Sequence, residues 1–360
     1  MDRGSRLLLK VLAQRLDLEA LESAWDLGCG VGVLGLCLKK KNPRLRLKLT
    51  DRDALALAFA RSNSELNGTG PVGGEGALGL GSSAGEAFSL IVSNLPAKAG
   101  APVLGSLFRS FSRHLAPAGM FACVIIAPLS GLAESCLLEA GAEIRYREAS
   151  REHVALVARR SEREAPPPEG LEPYLRGRFP FQAGGHSYSL RTAYNLPDFD
   201  TLGYGTQLAM EMMRGLALQG SVGFWNPGQG HLPLFCALES AGSGLDFVLG
   251  SRDLLQLRVA AHNLLASGLA PRAISLRHAA LYRQMEDPCS ALVVVPDADP
   301  GVPWQGTLLE ECAARLPRGG FLVLAARSAD AYRLLAGNIR FTVRGDRKLK
   351  GFRGLLLRKK

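Results

Sequence analysis

The chain has no Cys-x-x-Cys pair, and its seven cysteines (29, 37, 123, 136, 236, 289 and 312) are odd in number, scattered and mostly set inside apolar runs. That pattern excludes a disulfide framework and a zinc site, and it fits small core residues in a reducing compartment. No window reaches the roughly 18 apolar residues that a membrane span requires. The opening segment carries Asp2, Arg6, Lys10, Arg15 and Asp17, which deny a signal peptide its uninterrupted apolar centre. The six histidines (114, 153, 186, 231, 262 and 278) show no ligand spacing, so they read as structural or surface groups. The expectation is a cytoplasmic, monomeric protein with no membrane partner and no metal.

Acidic charge is also short: 33 Asp plus Glu stand against 43 Lys plus Arg, a net charge of +10. A polyanion suits such a surface, although net charge speaks to association and not to fold. Hydrophobic content of 47% with 21% charged residues excludes global disorder. The 360 residues exceed one ordinary core and divide naturally into two domains.

What is present is an alternation of short strands and helices. Leu7, Leu8, Val11, Leu12, Leu16, Leu18 and Leu21 recur at near-helical spacing and predict a helix over 5–22. A strand at Ala24–Leu27, a glycine turn, a helix at 33–40, a strand at 44–50 and a helix at 54–67 follow. Residues 68–86 are glycine-rich and predict a degraded strand or loose loop. Phe88–Val92 reads as a buried strand; a helix over 102–115, a turn at 117–119 and a strand over 120–126 come next. The segments 142–148 and 153–159 predict a closing antiparallel hairpin. This order predicts a doubly wound α/β fold, a mostly parallel sheet with helices on both faces.

Ser161–Gly170 (SEREAPPPEG) is charged and proline-rich and marks a break. The expected organisation is a domain over 1–160, a linker over 161–185 and a second domain over 186–360, opened by a strand at Tyr188–Tyr194. The second half retraces the first: Gly205–Leu208 answers Gly4–Leu7, Asn226–Gly230 answers Asp26–Gly30, and Asp253–Leu255 answers Asp53–Leu55. Leu292–Pro296 answers Leu90–Asn94, and Leu316–Phe321 answers Leu115–Phe121. Matches in one order at nearly one offset argue for duplication.

The glycine turn Asp26-Leu27-Gly28-Cys29-Gly30-Val31-Gly32 carries the first chemistry. A glycine turn after a first strand serves dinucleotides as well as S-adenosylmethionine, and Gly30-Val31-Gly32-Val33-Leu34-Gly35 fits G-x-G-x-x-G. Asp26 favours S-adenosylmethionine, because a carboxylate there repels a pyrophosphate and attracts an ammonium and a sulfonium. Gly28, Gly30 and Gly32 remove Cβ atoms where a ligand must lie against backbone. Asp51, ending the second strand, is placed to accept from ribose hydroxyls.

Asn94-Leu95-Pro96 carries the second signal. A strand ending in Asn and a proline-stiffened turn sets the Asn94 side-chain oxygen and the Leu95 carbonyl at the carboxyl edge of the sheet. Two such acceptors hold both hydrogens of a planar amine, so that catalysis is mostly alignment.

With Asp2-Arg3-Gly4-Ser5-Arg6-Leu7-Leu8-Leu9, the Asp26–Gly32 turn and Ile91-Val92-Ser93-Asn94-Leu95-Pro96, the chain resembles the small-domain methyltransferases that modify guanine N2 in bacterial ribosomal RNA. The resemblance implies two tandem Rossmann-like domains, one active and one decayed, an S-adenosylmethionine cofactor and a ribosomal RNA partner. The family's motif is Asn-Pro-Pro followed by an aromatic that stacks on the base; here Leu95 replaces the first proline and Ala97 the aromatic. In the family the active copy is usually the second, whereas here the first keeps the motif. The second copy has Asn226 for Asp26, Ser251 for Asp51 and Val295-Pro296-Asp297 for the Asn-x-Pro turn, with Asp253 as a substitute ribose ligand. The basic tail (Arg340, Arg344, Arg347, Lys348, Lys350, Arg353, Arg358, Lys359 and Lys360) suits either phosphate contacts or a hairpin edge guarded against aggregation.

The expected activity is transfer of a methyl to an exocyclic nitrogen of RNA. Methylation of a protein amide or a small molecule, and a decayed RNA-binding or ribosome-assembly protein, stay open beside it.

Overall fold

Ser23–Leu27 is buried at every position and forms a central strand, which is why it reads as an apolar run without alternation. The computed structural model describes residues 1–81, 85–160, 165–240, 244–296 and 304–360. They divide into two units, Met1–Tyr174 and Leu175–Lys360. Of the charged break at Ser161–Gly170, residues 161–164 lie outside the described residues.

The first unit runs α1 (Arg3–Arg15), β1 (Ser23–Leu27), α2 (Val33–Lys41), β2 (Arg46–Asp51), α3 (Ala54–Leu66), β3 (Gly73–Gly76), β4 (Phe88–Asn94), α4 (Ala101–Ser110), β5 (Leu115–Ile126), α5 (Ser130–Glu139), β6 (Glu143–Ala149) and β7 (His153–Arg159). The strand order is β3-β2-β1-β4-β5-β7-β6, parallel except where β7 pairs antiparallel with β5 and β6. One face of the sheet packs Trp25, Phe108, Phe111 and Phe121; the other packs Leu8, Leu12, Leu38 and Leu45.

The second unit opens with a separate hairpin, β8 (Leu175–Ala183) and β9 (His186–Ala193). It continues α6 (Tyr204–Met213), β10 (Ser221–Trp225), α7 (His231–Glu239), β11 (Asp246–Ser251), α8 (Leu254–Ala266), β12 (Ile274–His278), β13 (Ala291–Val294), α9 (Leu308–Arg315), β14 (Phe321–Arg327), α10 (Ser328–Ala336), β15 (Phe341–Leu349) and β16 (Phe352–Lys359). Its order, β12-β11-β10-β13-β14-β16-β15, repeats the first sheet strand for strand. The tandem Rossmann-like fold with terminal hairpins is as expected.

Three local expectations change. The first helix stops at Arg15, not Glu22, because Leu16 is extended and the Asp17 carboxylate accepts from the Glu19 and Ala20 amides in a turn of its own. The helix expected over 102–115 ends at Ser110 and tightens into a 3₁₀ turn over Phe111–His114. The turn expected at 117–119 is a bulge within β5: Ala118 has φ 62°, and the register against β4 shifts between Phe88 and Leu90. Among the described residues of the glycine-rich stretch only Gly73–Gly76 forms a strand, β3, paired with β2; residues 82–84 lie outside the described residues.

Candidate cofactor and amine site

β1 delivers Asp26 to the carboxyl end of the sheet, and the turn that follows is stitched to β2. The Gly28 and Cys29 amides both donate to the Thr50 carbonyl at 2.9 Å, and the Gly30 amide donates to Asp51 Oδ2 at 2.8 Å. Trp25 Nε1 donates to Thr50 Oγ1 at 2.8 Å, fixing the same pair of strands from the buried side. Gly28, Gly30 and Gly32 have φ of 69°, 55° and 87°, a left-handed backbone that side chains resist. A Cβ built on Gly28 or Gly30 would meet no atom within 4 Å, so both present bare backbone to open space. Gly32 differs: a Cβ there would press on Leu36 at 3.0 Å, so this glycine serves the packing of α2.

Asp26 is buried, and its Oδ2 accepts from the Gly35 amide at 2.7 Å. Its Oδ1 is buried with no hydrogen-bond partner. Burial pushes its carboxyl up to about 7; the Gly35 bond opposes the rise and the nearby Asp51 charge adds to it. An orphaned carboxylate oxygen beside bare backbone fits a ligand that brings a cation and lies along the turn, as the ammonium and methionyl arm of S-adenosylmethionine would. Asp51, expected as a ribose acceptor, braces the loop: Oδ2 accepts from the Gly30 amide and Oδ1 from the Asp53 amide, each at 2.8 Å.

Asn94 ends β4, next to β1, and Ser93 Oγ closes the edge by donating to the Leu27 carbonyl at 2.7 Å. The Asn94 amide nitrogen donates to Asp2 Oδ1 at 3.1 Å and to Ser5 Oγ at 3.0 Å. Leu95 is buried and its amide donates to the Val124 carbonyl, while Pro96 and Ala97 are exposed. Asp26, Gly28, Gly30, Asp51 and Asn94 thus share the carboxyl edge of β1, β2 and β4. The sequence names Gly35 as a motif glycine but not its bond to Asp26, nor the role of Asp2 and Ser5, whose signal was the Asp-x-x-Ser spacing at a helix start.

The second unit keeps the turn but not the cradle. Asn226, Gly228 and Gly230 have φ of 58°, 57° and 94°, matching Gly28, Gly30 and Gly32. The expected pairing of Asn226 with Asp26 is therefore corrected: Asn226 stands at Gly28, and Phe224 stands at Asp26. The carboxylate has become a phenyl ring. Asn226 ties itself to the Val295 carbonyl and to Ser251 Oγ, each at 2.9 Å, and the buried Gln229 side chain holds both backbone groups of Ala193. His231, also buried, bridges Tyr188 Oη and the Asp198 carbonyl. Asp253 caps α8 by accepting from the Leu255 amide, as Asp53 caps α3. Asp297 lies outside the described residues. Trp25 and Trp225 are buried packing residues, and the side chain of Trp304 lies outside the described residues.

Among the described residues, no group of His, Cys, Asp and Glu is placed to hold a metal ion, and no helix is long and apolar enough to cross a membrane.

The family model described as the methyltransferase small domain matches residues 1–139. Over those residues the first unit is similar to the methyltransferase small domain. Among curated proteins none matches the chain. Of solved structures, the T. thermophilus 16S rRNA N2 G1207 methyltransferase in complex with AdoMet and guanosine is similar over 99% of this chain and 93% of its own, at 20% identity and a TM-score of 0.68. The ribosomal protein L11 methylase of Lactobacillus delbrueckii subsp. bulgaricus is similar over 45% of this chain and 81% of its own, at 21% identity and a TM-score of 0.41. The first likeness extends the tandem fold across both units. The expectation of an S-adenosylmethionine-dependent methyltransferase agrees with the family match.

Proposed function

We propose that the first unit binds S-adenosylmethionine at the Asp26–Gly32 turn and methylates an exocyclic nitrogen of RNA, guanine N2 of ribosomal RNA being the target its relative suggests. The observation that carries this reading is the buried Asp26 Oδ1, which has no partner, beside backbone left bare at Gly28 and Gly30. Bound there, the cofactor supplies the electrophilic methyl. Asp26 Oδ1 pairs with its ammonium, Gly28 and Gly30 let the methionyl arm lie against backbone, and Asp51 accepts from the ribose hydroxyls with the lone pairs its own braces leave. Asn94 Oδ1 and the Leu95 carbonyl accept the two hydrogens of the planar amine and aim its nitrogen at the methyl. Alignment supplies the rate, and the amine proton leaves late without a strong base.

The name of the T. thermophilus relative, a 16S rRNA N2 G1207 methyltransferase crystallised with AdoMet and guanosine, supports the RNA and the amine. In this reading residues 175–360 hold RNA phosphates with the basic segment of β15 and β16 and bind no cofactor. The test is transfer of labelled methyl from S-adenosylmethionine to ribosomal RNA, with nucleosides mapped. N2-methylguanosine is the expected product, and Asn94→Ala spares cofactor binding while removing transfer. Binding of cofactor with no transfer to RNA sinks the reading.

One observation favours a second reading. Ala97 is exposed and cannot stack on a base, a platform worth about 1–3 kcal/mol. A decayed RNA-binding protein accounts for that, and it requires that no methyl ever be transferred.

A further inference from the structure

Resting on the reading above, we propose that Asp2 and Ser5 are positioning residues that lock the Asn94 side-chain amide in one of its two flips, nitrogen turned into the protein and Oδ1 turned toward the substrate amine. An asparagine left to itself presents either atom, because the two ends have the same shape. Here both partners of the nitrogen are acceptors. Asp2 Oδ1 receives it at 3.1 Å and Ser5 Oγ at 3.0 Å. The Ser5 hydroxyl hydrogen is already spent, donated to Asp2 Oδ2 at 2.7 Å, so its oxygen can only accept from Asn94. Burial alone would raise the Asp2 carboxyl, but the bonds from Ser5 and Asn94 outweigh it and hold it below its ordinary value, so it is ionised at neutral pH and donates nothing. The opposite flip would set an oxygen against two acceptors and lose both bonds.

The clamp is itself anchored. Asp2 caps α1 by accepting from the Ser5 amide at 2.9 Å, and Ser5 is buried. No donor among the described residues reaches Asn94 Oδ1, so both of its lone pairs are unspent. An amine that must donate two hydrogens meets an acceptor only in this flip; in the other it meets an NH₂ group, and the transfer geometry is lost. The second unit gives an internal control. Asp198 still accepts from Thr206 Oγ1 and from the Gly203 amide, but Val295 stands where Asn94 stands. The acid–hydroxyl pair therefore also has a folding role, and a test must separate the two.

Asp2→Ser keeps a capping oxygen and removes the carboxylate. Ser5→Ala removes the second acceptor. In protein labelled with ¹⁵N-asparagine, the Asn94 side-chain signal, assigned by its loss in Asn94→Ala, should exchange with solvent about tenfold faster in either variant. Affinity for S-adenosylmethionine should stay within about threefold, while kcat on ribosomal RNA falls by about tenfold to a hundredfold. Unchanged amide exchange, or unchanged kcat in a protein whose Asn94→Ala variant is inactive, overturns the clamp and leaves the methyltransferase reading intact. No transfer by the unaltered protein with cofactor bound overturns that reading itself.

Discussion

The Gly35 amide donates a 2.7 Å hydrogen bond to Asp26 Oδ2, and the second unit has removed both ends of that bond together. Phe224 stands at the place of Asp26, and Pro233, which has no N–H, stands at the place of Gly35. Removing one end alone would have left a buried donor or acceptor unpaired, at about 1–3 kcal/mol. With both absent neither is left unpaired, and the turn of the second unit packs without a carboxylate.

Asp26 should be a liability to the folded state until a cation arrives. Its carboxyl is raised from 3.8 to about 7, so between those values the folded chain holds a proton that the unfolded chain has released. Its contribution to stability is therefore most favourable below pH 4, falls as pH rises through that window and levels off above 7, a change on the order of 4 kcal/mol. Asp26→Asn should abolish cofactor binding in calorimetry yet melt higher than the unaltered protein at pH 8, with the gap closing toward pH 5. An equal or lower melting temperature at pH 8 would contradict the buried, unpaired carboxylate.

The glycines of the turn should separate binding from folding. Gly28→Ala and Gly30→Ala add a methyl that meets nothing in the protein, so their stability cost is the left-handed backbone alone, about 1–2 kcal/mol. The same methyl stands where the ligand lies, and cofactor affinity should fall at least tenfold. Gly35→Ala does the reverse: its Cβ meets Leu49 Cδ2 at 2.8 Å and Asp26 Cβ at 3.1 Å, so it should cost about 1–3 kcal/mol by forcing α2 off the sheet. Thermal melts and titration of the three variants side by side decide it.

Binding should saturate at one cofactor per chain. In the second unit the atoms that would greet a ligand are bonded to their own chain, Asn226 to Val295, Gln229 to Ala193 and His231 to Asp198. Asp253→Ala should cost about 1 kcal/mol as a lost helix cap and leave cofactor affinity unchanged. Native mass spectrometry showing a second bound cofactor would refute the plugged turn.

Much of this was legible because it rests on local rules. The helix over 54–67 and its echo at Asp253–Leu255 were readable, as was the sheet from the alternation of strand and helix; that Asp253 caps α8 was not. The slip came from assuming one offset between the halves. Asp53 and Asp253 are 200 apart, but Gly32 and Gly230, which cap α2 and α7, are 198 apart. The segment between α7 and β11 is two residues longer than that between α2 and β2, and no local preference of the residues there reveals it. The Asn94 clamp was illegible for another reason: Asp2 and Ser5 lie about ninety residues away in sequence, and only the packing of α1 on β5 and β7, beside β4, brings them together.

The basic tail should announce itself through salt. Arg318, Arg344, Arg358, Lys359 and Lys360 line a cavity of about 260 Å³ with Thr342 and Gly319, and among the described residues no acidic one lines it. Three of these cations have structural duties: Arg358 Nε donates to the Gly319 carbonyl, Lys359 Nζ to the Ala313 and Leu316 carbonyls at the end of α9, and Lys360 Nζ to the Ile339 carbonyl. Mutating them would confuse folding with binding. Arg318 and Arg344 are the clean probes. If the cavity takes an RNA phosphate, Arg344→Ala should weaken RNA binding to a similar degree across sequences and reduce the slope of log affinity against log salt by about 1. Cofactor affinity, set in the first unit, should not move. A hairpin edge kept basic only to prevent aggregation predicts the opposite pair of results, an unchanged salt slope and a variant less soluble than its parent.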